Sequence, residues 1–235
     1  MKVSYIAATV VALGLWAGIP VQVWAGKFED GVRAYNARDY ATAMRLFRGE
    51  AVKGLPQAQF NLGLIHAMGL GTKKDPVKAA RWIKQAAAQG HIKAQYRLAA
   101  AYAFGRGVAQ DSGEAVKWFR LAAGKGHGPS QYAMAMFYKN GRGVGQDQNA
   151  SAHWFRFAAE NNHPASQQYL GSFHMSGKVV AKDIIVGLKW LTIAAENGDA
   201  SGIDYRDKIK PHFTAAEIAE AETLARAWLA RRGGK

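Results

Sequence analysis

The chain has no cysteine, and it also lacks several motifs on which catalysis commonly depends. Without a thiol there are no disulfide bonds, thiolate zinc sites, cysteine nucleophiles or lipidated lipoprotein cysteines. No serine is followed three residues later by a lysine, the spacing of most serine β-lactamases. The glycine-rich stretch Gly141 to Gly145 has no strand predicted before it and no Gly-Lys-Ser/Thr ending, so it is not a phosphate-binding loop. We therefore predict that the protein is not an enzyme and needs no cofactor.

Acidic residues are scarce. The 235 residues include 17 Asp and Glu against 31 Lys and Arg, which gives a formal net charge of +14 at pH 7. Such an excess favours acidic partners, including anionic glycans, lipopolysaccharide, phospholipid head groups, nucleic acid or an acidic protein surface. The alternative is that the charge only keeps a repeat protein soluble.

Residues 1–25 have the features of a secretory signal peptide. Lys2 supplies a positive start, an uncharged apolar run extends from Tyr5 to Gly18, and small residues precede a cleavage position after Ala25. An uncleaved membrane anchor is the alternative, because the charge-free run from Val3 to Gly26 is just long enough to span a bilayer. Cleavage predicts a periplasmic or secreted protein with no stable membrane span.

A unit of 36 residues is written four times in the middle of the chain. The period holds for the tryptophans Trp82, Trp118, Trp154 and Trp190 and for the aspartates Asp75, Asp111, Asp147 and Asp183. A strict period of this length is the signature of a solenoid, in which each repeat packs only on its neighbours. We predict four repeats over 58–201, a divergent hairpin over 26–57 that starts its first helix near Phe28, and a connector with a C-terminal capping helix over 202–235.

Each unit carries the signals of two helices. In the first unit, apolar residues recur at helical spacing up to Gly69, whose glycine tolerates the positive φ of a helix end. Asp75 then has the position of an N-cap for the second helix. Near the C-terminus, Thr214 and Glu217 have the spacing of a capping box ahead of the last helix. The fold class is therefore all-α, an α-solenoid of antiparallel helix hairpins with a C-terminal capping helix.

Three histidines, His91, His127 and His163, recur with the same period in the turns between repeats. Equivalent atoms of successive hairpins lie about 8–10 Å apart, whereas the ligands of one zinc ion lie about 2 Å from it. We therefore predict structural turn residues and no metal site. His66 and His174 take the positions of Tyr102 and Tyr138 in the other units, so we expect packed side chains with a polar tip.

Basic residues recur on one face of the predicted second helices. This basic stripe comprises Arg81, Lys84, Lys117, Arg120, Arg156 and Lys189. Residues three apart on a helix are neighbours, so the stripe forms a continuous charged surface that suits an acidic polymer such as an anionic glycan or lipopolysaccharide. The alternative is an ordinary solvated face.

The units resemble the Sel-one-like repeat family of the tetratricopeptide-like superfamily. The resemblance covers residues 58–200 and rests on Leu62-Gly63, on Gly-x-Gly-Val ahead of Asp111, and on Ala-x-x-Trp-aromatic-x-x-Ala-Ala-x-x-Gly. It implies a right-handed superhelix of helix pairs that acts as a protein-interaction scaffold. It also implies export, since bacterial members often act in envelope assembly, polysaccharide secretion or host contact.

The same resemblance implies a concave groove lined by the first helices. The residues of this predicted groove are Phe60, Leu64, Tyr96, Tyr132, Met136, Lys139 and Asn140. Tyr, Phe and Met are enriched in interface cores, so a protein or peptide partner is expected there. The alternative is that these side chains only pack between repeats. Nucleic acid is not an expected partner, because no recognition motif is present.

Overall fold

The computed structural model describes the backbone of residues 21–233 and the side chains of residues 26–232. These residues form twelve α-helices and no strand. The helices are α1 (Val21–Asn36), α2 (Tyr40–Val52), α3 (Pro56–Met68), α4 (Pro76–Ala88), α5 (Ile92–Phe104), α6 (Ser112–Gly124), α7 (Gly128–Asn140), α8 (Gln148–Glu160), α9 (Pro164–Ser176), α10 (Ile184–Glu196), α11 (Ala200–Ile209) and α12 (Ala215–Gly233), with a 3₁₀ turn at Lys210–His212. The predicted all-α class is confirmed.

Successive helices pair as hairpins, and the hairpins stack in chain order. The helix pairs α3 with α4, α5 with α6, α7 with α8 and α9 with α10 form the four hairpins, and the second helix of each packs on the first helix of the next. Helix α12 packs on α10 and closes the stack. The predicted right-handed α-solenoid with a C-terminal capping helix is therefore confirmed. None of the described helices combines the length and the apolar character that crossing a membrane requires.

The helix ends follow the predicted local signals. The carboxylate of Asp111 accepts from the backbone N–H of Glu114 at 2.9 Å, and the aspartates one repeat on either side make the same bond. The first helices end at left-handed glycines such as Gly105, whose φ is 65°. Thr214 and Glu217 form the predicted capping box, because the N–H of Thr214 donates to the Glu217 carboxylate and the N–H of Glu217 donates back to the Thr214 hydroxyl.

Both ends of the chain differ from the sequence-based expectation. Helix α1 (Val21–Asn36) extends ahead of Phe28 to the first residue that the structure describes, so it includes the cleavage position predicted after Ala25. The rest of the predicted signal peptide lies outside the described residues. At the other end, the stretch predicted as a connector begins with helix α11, because Asp199 caps it by accepting from the N–H of Gly202 at 2.7 Å. This helix stands where a fifth repeat would begin.

A buried glutamine joins each repeat to the one before it. The four residues are Gln59, Gln95, Gln131 and Gln167, which recur every 36 residues and are at most 5% exposed. Each side-chain amide donates at 3.1 to 3.2 Å to the carbonyl of the penultimate residue in the preceding second helix: Ala51, Ala87, Ala123 and Ala159. Each of these carbonyls also accepts from a backbone N–H of its own turn, as Ala87 does from Gly90 at 2.9 Å. The glutamine adds a second hydrogen bond to an oxygen that has two lone pairs, and this second bond joins two repeats.

The capping helix covers apolar positions that stay open in the earlier repeats. Leu121 is 51% exposed and Phe157 is 42% exposed, whereas Ile193, the next residue in this periodic series, is fully buried. Trp228 of α12 packs edge-on against Trp190, with ring centroids 5.4 Å apart. The cap therefore shields the apolar face of the last hairpin from water.

A second glycine in the loop of each of the first three repeats lets the backbone touch the preceding repeat. Gly107 has a φ of +77°, and a Cβ at this position would collide with the backbone carbonyl of Pro76. Gly71 and Gly143 make the same kind of approach one repeat earlier and one repeat later. These loops need glycine both for the backbone conformation and for the space.

We predict that Gly107→Ala lowers the free energy of unfolding by more than about 1–2 kcal/mol, the cost of a left-handed conformation for a residue with a Cβ. The collision with Pro76 adds to this cost. Denaturant unfolding of the purified chain measures the change. Gly49→Ala is the matched control, because Gly49 lies inside α2 with no atom near its missing Cβ. This control is expected to stabilise the chain by about 0.5–1 kcal/mol, and equal losses for both variants would contradict the assignment.

Candidate functional site

The aromatic residues of the predicted groove each pack against the histidine that directly precedes the first helix of the next repeat. The ring centroids are 4.8 Å apart for Phe60 and His91, and 4.6 Å apart for Tyr132 and His163. Phe60 is only 9% exposed, so its ring offers little surface to a partner. Tyr96 and Tyr132 are half-buried and keep part of each ring open. The groove positions therefore serve packing between repeats as well as leaving an aromatic surface.

An aromatic cluster that the sequence reasoning missed extends this surface into the fourth repeat. Tyr169 stacks on Phe155 with ring centroids 4.3 Å apart, and it lies 6.4 Å from the ring of Tyr132. The Lys139 ammonium sits 4.6 Å from the centre of the Tyr169 ring and donates to its hydroxyl at 3.4 Å. The equivalent residues of earlier repeats are Ala133 and Arg97, so periodicity gave no signal for Tyr169.

The remaining predicted groove residues lie near the same aromatic side chains. Leu64 packs against the buried cluster that contains Phe60. Met136 is half-buried and Asn140 is exposed, both on the helix that carries Tyr132 and Lys139. Together the aromatic rings, the methionine and the lysine form a partly apolar surface whose rings rest on buried side chains.

Two of the three turn histidines cap the following helix with their side chains, in agreement with the structural role predicted for them. The imidazole Nδ1 of His91 accepts from the N–H of Ala94 at 3.1 Å, and that of His163 accepts from the N–H of Ser166 at 3.3 Å. His127 instead places Nδ1 2.8 Å from the Ser130 hydroxyl. Burial lowers the pKa of all three below the ordinary value of 6.5. Residues 26–232 hold no cluster of three metal-ligating side chains.

His66 and His174 differ although they occupy equivalent positions. His66 is 4% exposed, and neither of its ring nitrogens has a hydrogen-bond partner. Burial, together with the charges of Lys78 and Arg48, lowers the pKa of His66 and so favours the neutral ring. His174 is half-buried, and its Nδ1 lies 3.3 Å from the carbonyl oxygen of Ala181.

The basic stripe is exposed along α4, α6 and α8, but its last residue, on α10, is half-buried. Lys117 pairs with Glu114 at 2.6 Å, and this hydrogen bond and charge raise the pKa of Lys117. Lys189 is half-buried, with its ammonium 4.8 Å from the centre of the Trp190 ring. Burial, and then the charge of Arg231, lowers the pKa of Lys189. The other four residues, Arg81, Lys84, Arg120 and Arg156, are exposed.

Sequence comparison assigns the repeats to a family. The Sel1 repeat pattern matches residues 56–91, 92–127, 128–163 and 164–199. The chain belongs to the Sel1 repeat family. The matched repeats begin two residues ahead of the boundaries predicted from the sequence, at the N-termini of the first helices. Members of this family are generally non-catalytic scaffolds for protein interaction.

Solved structures show the same architecture. A Sel1 repeat protein from Oxalobacter formigenes is 27% identical with a TM-score of 0.74, over 85% of this chain and 84% of that one. A protective antigen of uropathogenic Escherichia coli strains is 28% identical with a TM-score of 0.59, over 88% of this Sel1 repeat chain and 53% of the antigen. The immunity protein Pa5087 from Pseudomonas aeruginosa shares the fold at 15% identity and a TM-score of 0.52. No curated protein matches the chain.

We predict that the capping histidines make this Sel1 repeat protein less stable in acid. Because the pKa of His163 is lower in the folded chain than the ordinary 6.5, the unfolded chain binds more protons below that pH. The contribution of His163 to the free energy of unfolding is therefore fully present above about pH 6.5. It is lost as the pH drops through the pKa of His163 in the folded chain. Thermal unfolding between about pH 8 and pH 5 measures the fall.

The variant His163→Asn tests this prediction, since asparagine keeps an acceptor at the N-cap but does not titrate. Its melting temperature is expected to fall less on acidification than that of the unchanged chain. His212→Asn is the matched control, because it makes the same exchange at an exposed residue of the 3₁₀ turn. A slope that His163→Asn does not reduce would contradict the role of burial.

Proposed function

We propose that this protein is an exported, non-catalytic scaffold of the cell envelope that holds another protein or a peptide in the predicted groove. The observation that carries the proposal is the half-exposed surface of Tyr132, Met136, Lys139 and Tyr169, in which Phe155 supports the aromatic rings from below. Aromatic side chains that are already held in place lose little conformational freedom on binding, so they anchor a partner efficiently.

The export part of the proposal draws on two supports. The first is the sequence of residues 1–25, with its single lysine, its apolar run, and the small residues Val23 and Ala25 at the −3 and −1 positions. The second is the likeness to a protective antigen of uropathogenic Escherichia coli, which suits a protein that leaves the cytoplasm. A periplasmic or secreted location follows from the proposal.

Photo-crosslinking in the producing cells tests the groove directly. A photoreactive residue at Asn140 is expected to capture one reproducible protein partner, because Asn140 is exposed beside Met136 and Lys139. The same probe at Lys84 reports on the basic stripe and serves as the comparison position. Capture of the same partner from Lys84 but not from Asn140 would contradict the groove assignment.

The double variant Met136→Ser/Lys139→Ala is expected to weaken partner binding by at least about tenfold, the effect of losing about 1.4 kcal/mol. Both replacements are residues that this chain already carries at equivalent positions, Ser172 and Ala103, so the fold should tolerate them. Lys84→Ala is the control for loss of one positive charge. The measurement is the yield of the Asn140 adduct, and an unchanged yield would overturn the assignment.

A second candidate function is binding of an anionic glycan or lipopolysaccharide through the basic stripe. The specific observation is that Arg81, Lys84, Lys117, Arg120 and Arg156 are all exposed on successive second helices. Such contacts are individually weak and screened by salt, so affinity for lipopolysaccharide should fall steeply as salt rises. Charge reversal at Lys117, Arg120 and Arg156 should abolish binding, and a complex that is insensitive to salt would rule this candidate out.

A further inference from the structure

A cleft of about 250 Å³ opens between α8, α9 and the loop that follows α9. Its floor is aliphatic and consists of Ala152, Leu170, Val179 and Val180. We call it the Val179 cleft. Pockets for drug-sized molecules and cofactors usually measure about 300–1,000 Å³, so this cleft has room for little more than one amino-acid side chain and its neighbouring backbone.

The cleft exists because the fourth repeat breaks the pattern of the third. At the preceding boundary between repeats, the loop residue is Gly143, whose φ of +69° brings the backbone against Ser112. The equivalent Val179 does not adopt a positive φ. A valine therefore cannot reproduce the close approach of the glycine loop, and the loop after α9 leaves open space against α8.

Two further exchanges enlarge the same space. Val116 and Tyr138 occupy the preceding boundary, and their equivalents here are the smaller residues Ala152 and His174. At that boundary the guanidinium of Arg120 donates to the Tyr138 hydroxyl at 3.4 Å. The equivalent Arg156 faces a site where this hydroxyl is missing.

The polar side of the cleft carries positive and hydrogen-bonding groups. It consists of Asn149, His153, Arg156 and His174, and no Asp or Glu lines the cleft. The nearest acidic partner of Arg156 is Glu160, whose carboxylate oxygen is 4.0 Å from the guanidinium nitrogen at the outer limit of an ion pair. The guanidinium therefore keeps hydrogen-bonding capacity for a carboxylate.

We propose that the Val179 cleft binds the C-terminal residue of a partner polypeptide that ends in an aliphatic amino acid. The aliphatic side chain covers the floor formed by Leu170, Val179 and their neighbours, and the terminal carboxylate accepts hydrogen bonds from Arg156 and the histidines on the rim. A chain terminus suits the site because it carries an apolar group and a full negative charge on one residue. A glycan would place hydroxyl groups on a floor that has no hydrogen-bonding side chain.

This inference rests on the proposed function in one respect, that the partner is a protein, and it can be tested without that partner. The probe is a fluorescein-labelled hexapeptide, Gly-Ser-Gly-Ser-Gly-Leu, with a free C-terminal carboxylate, titrated with the purified full chain and followed by fluorescence anisotropy. We expect saturable binding. The same peptide with a C-terminal amide, or ending in Gly, should bind at least about tenfold more weakly.

The double variant Ala152→Val/His174→Tyr refills the cleft with the residues of the preceding boundary. It is expected to lose peptide binding by at least about tenfold, with a melting temperature equal to or above that of the unchanged chain. Arg156→Gln should weaken binding of the carboxylate peptide and leave the amide peptide unaffected. Lys117→Gln is the matched control, because it removes one positive charge of the stripe outside the cleft.

Four results would overturn the inference: no binding of the free-acid peptide, equal binding of the amide, full binding by the refilled variant, or equal losses for Lys117→Gln and Arg156→Gln. The two proposals fail separately. If the peptide binds the cleft while the probe at Asn140 captures no partner, the cleft inference stands and the groove assignment is contradicted. If the probe at Asn140 captures a partner but the peptide does not bind, the groove assignment stands and the cleft inference is contradicted.

Discussion

The hydrogen bond from each buried glutamine to the end of the preceding helix is the constraint on which the stack depends. The carbonyl itself is already bonded within its own turn, as Ala123 is to the N–H of Gly126 at 3.0 Å. The group that depends on this contact is the buried glutamine amide, because burying it without a partner is costly. Gln131, for example, donates to the Ala123 carbonyl at 3.1 Å and accepts from the amide of Asn161 at 3.0 Å, so one side chain ties together helices of two repeats. At the second repeat Lys125 stands in the position of Asn161, and the Gln95 oxygen has no hydrogen-bond partner. The stack therefore tolerates one glutamine whose side-chain oxygen is not hydrogen-bonded.

The packing of each repeat on the next also determines where the partly exposed aromatic residues lie. Since each repeat is fixed to its neighbour, the ring of Tyr132 lies 4.6 Å from the ring of His163, which caps the first helix of the next repeat, and the same contact recurs at Phe60 and His91. The imidazole therefore has two roles, because it caps a helix and supports an aromatic ring. A ring that is packed against a neighbouring ring has fewer rotamers open to it, so it loses less conformational entropy if a partner binds there.

Local features of the fold could be predicted from the sequence, whereas features that depend on contacts between repeats could not. Asp111 as a cap and Gly105 as a helix end each rest on a few neighbouring residues, and the structure has both. The burial of Phe60 and the stacking of Tyr169 on Phe155 depend on how hairpins pack, and Tyr169 has no periodic equivalent. The glutamine series was visible as a period, but its partners are backbone carbonyls that carry no sequence signal.

In a repeat protein, a departure from the pattern is more informative about a specific site than the pattern itself. The pattern is explained by stacking, since each repeat must bury the same face against the next. A residue that differs from the repeat pattern loses part of that packing. Val179 is an example, because the glycines at the equivalent positions of the earlier repeats bring the loop against the preceding repeat. At that boundary Ala152 and His174 are smaller than their equivalents, and Val179 keeps the loop away from α8. Arg156 also lacks the tyrosine hydroxyl to which the equivalent Arg120 donates. Random loss of packing would not be expected to open an aliphatic floor and a cationic edge at the same place, so the combined change favours a binding site.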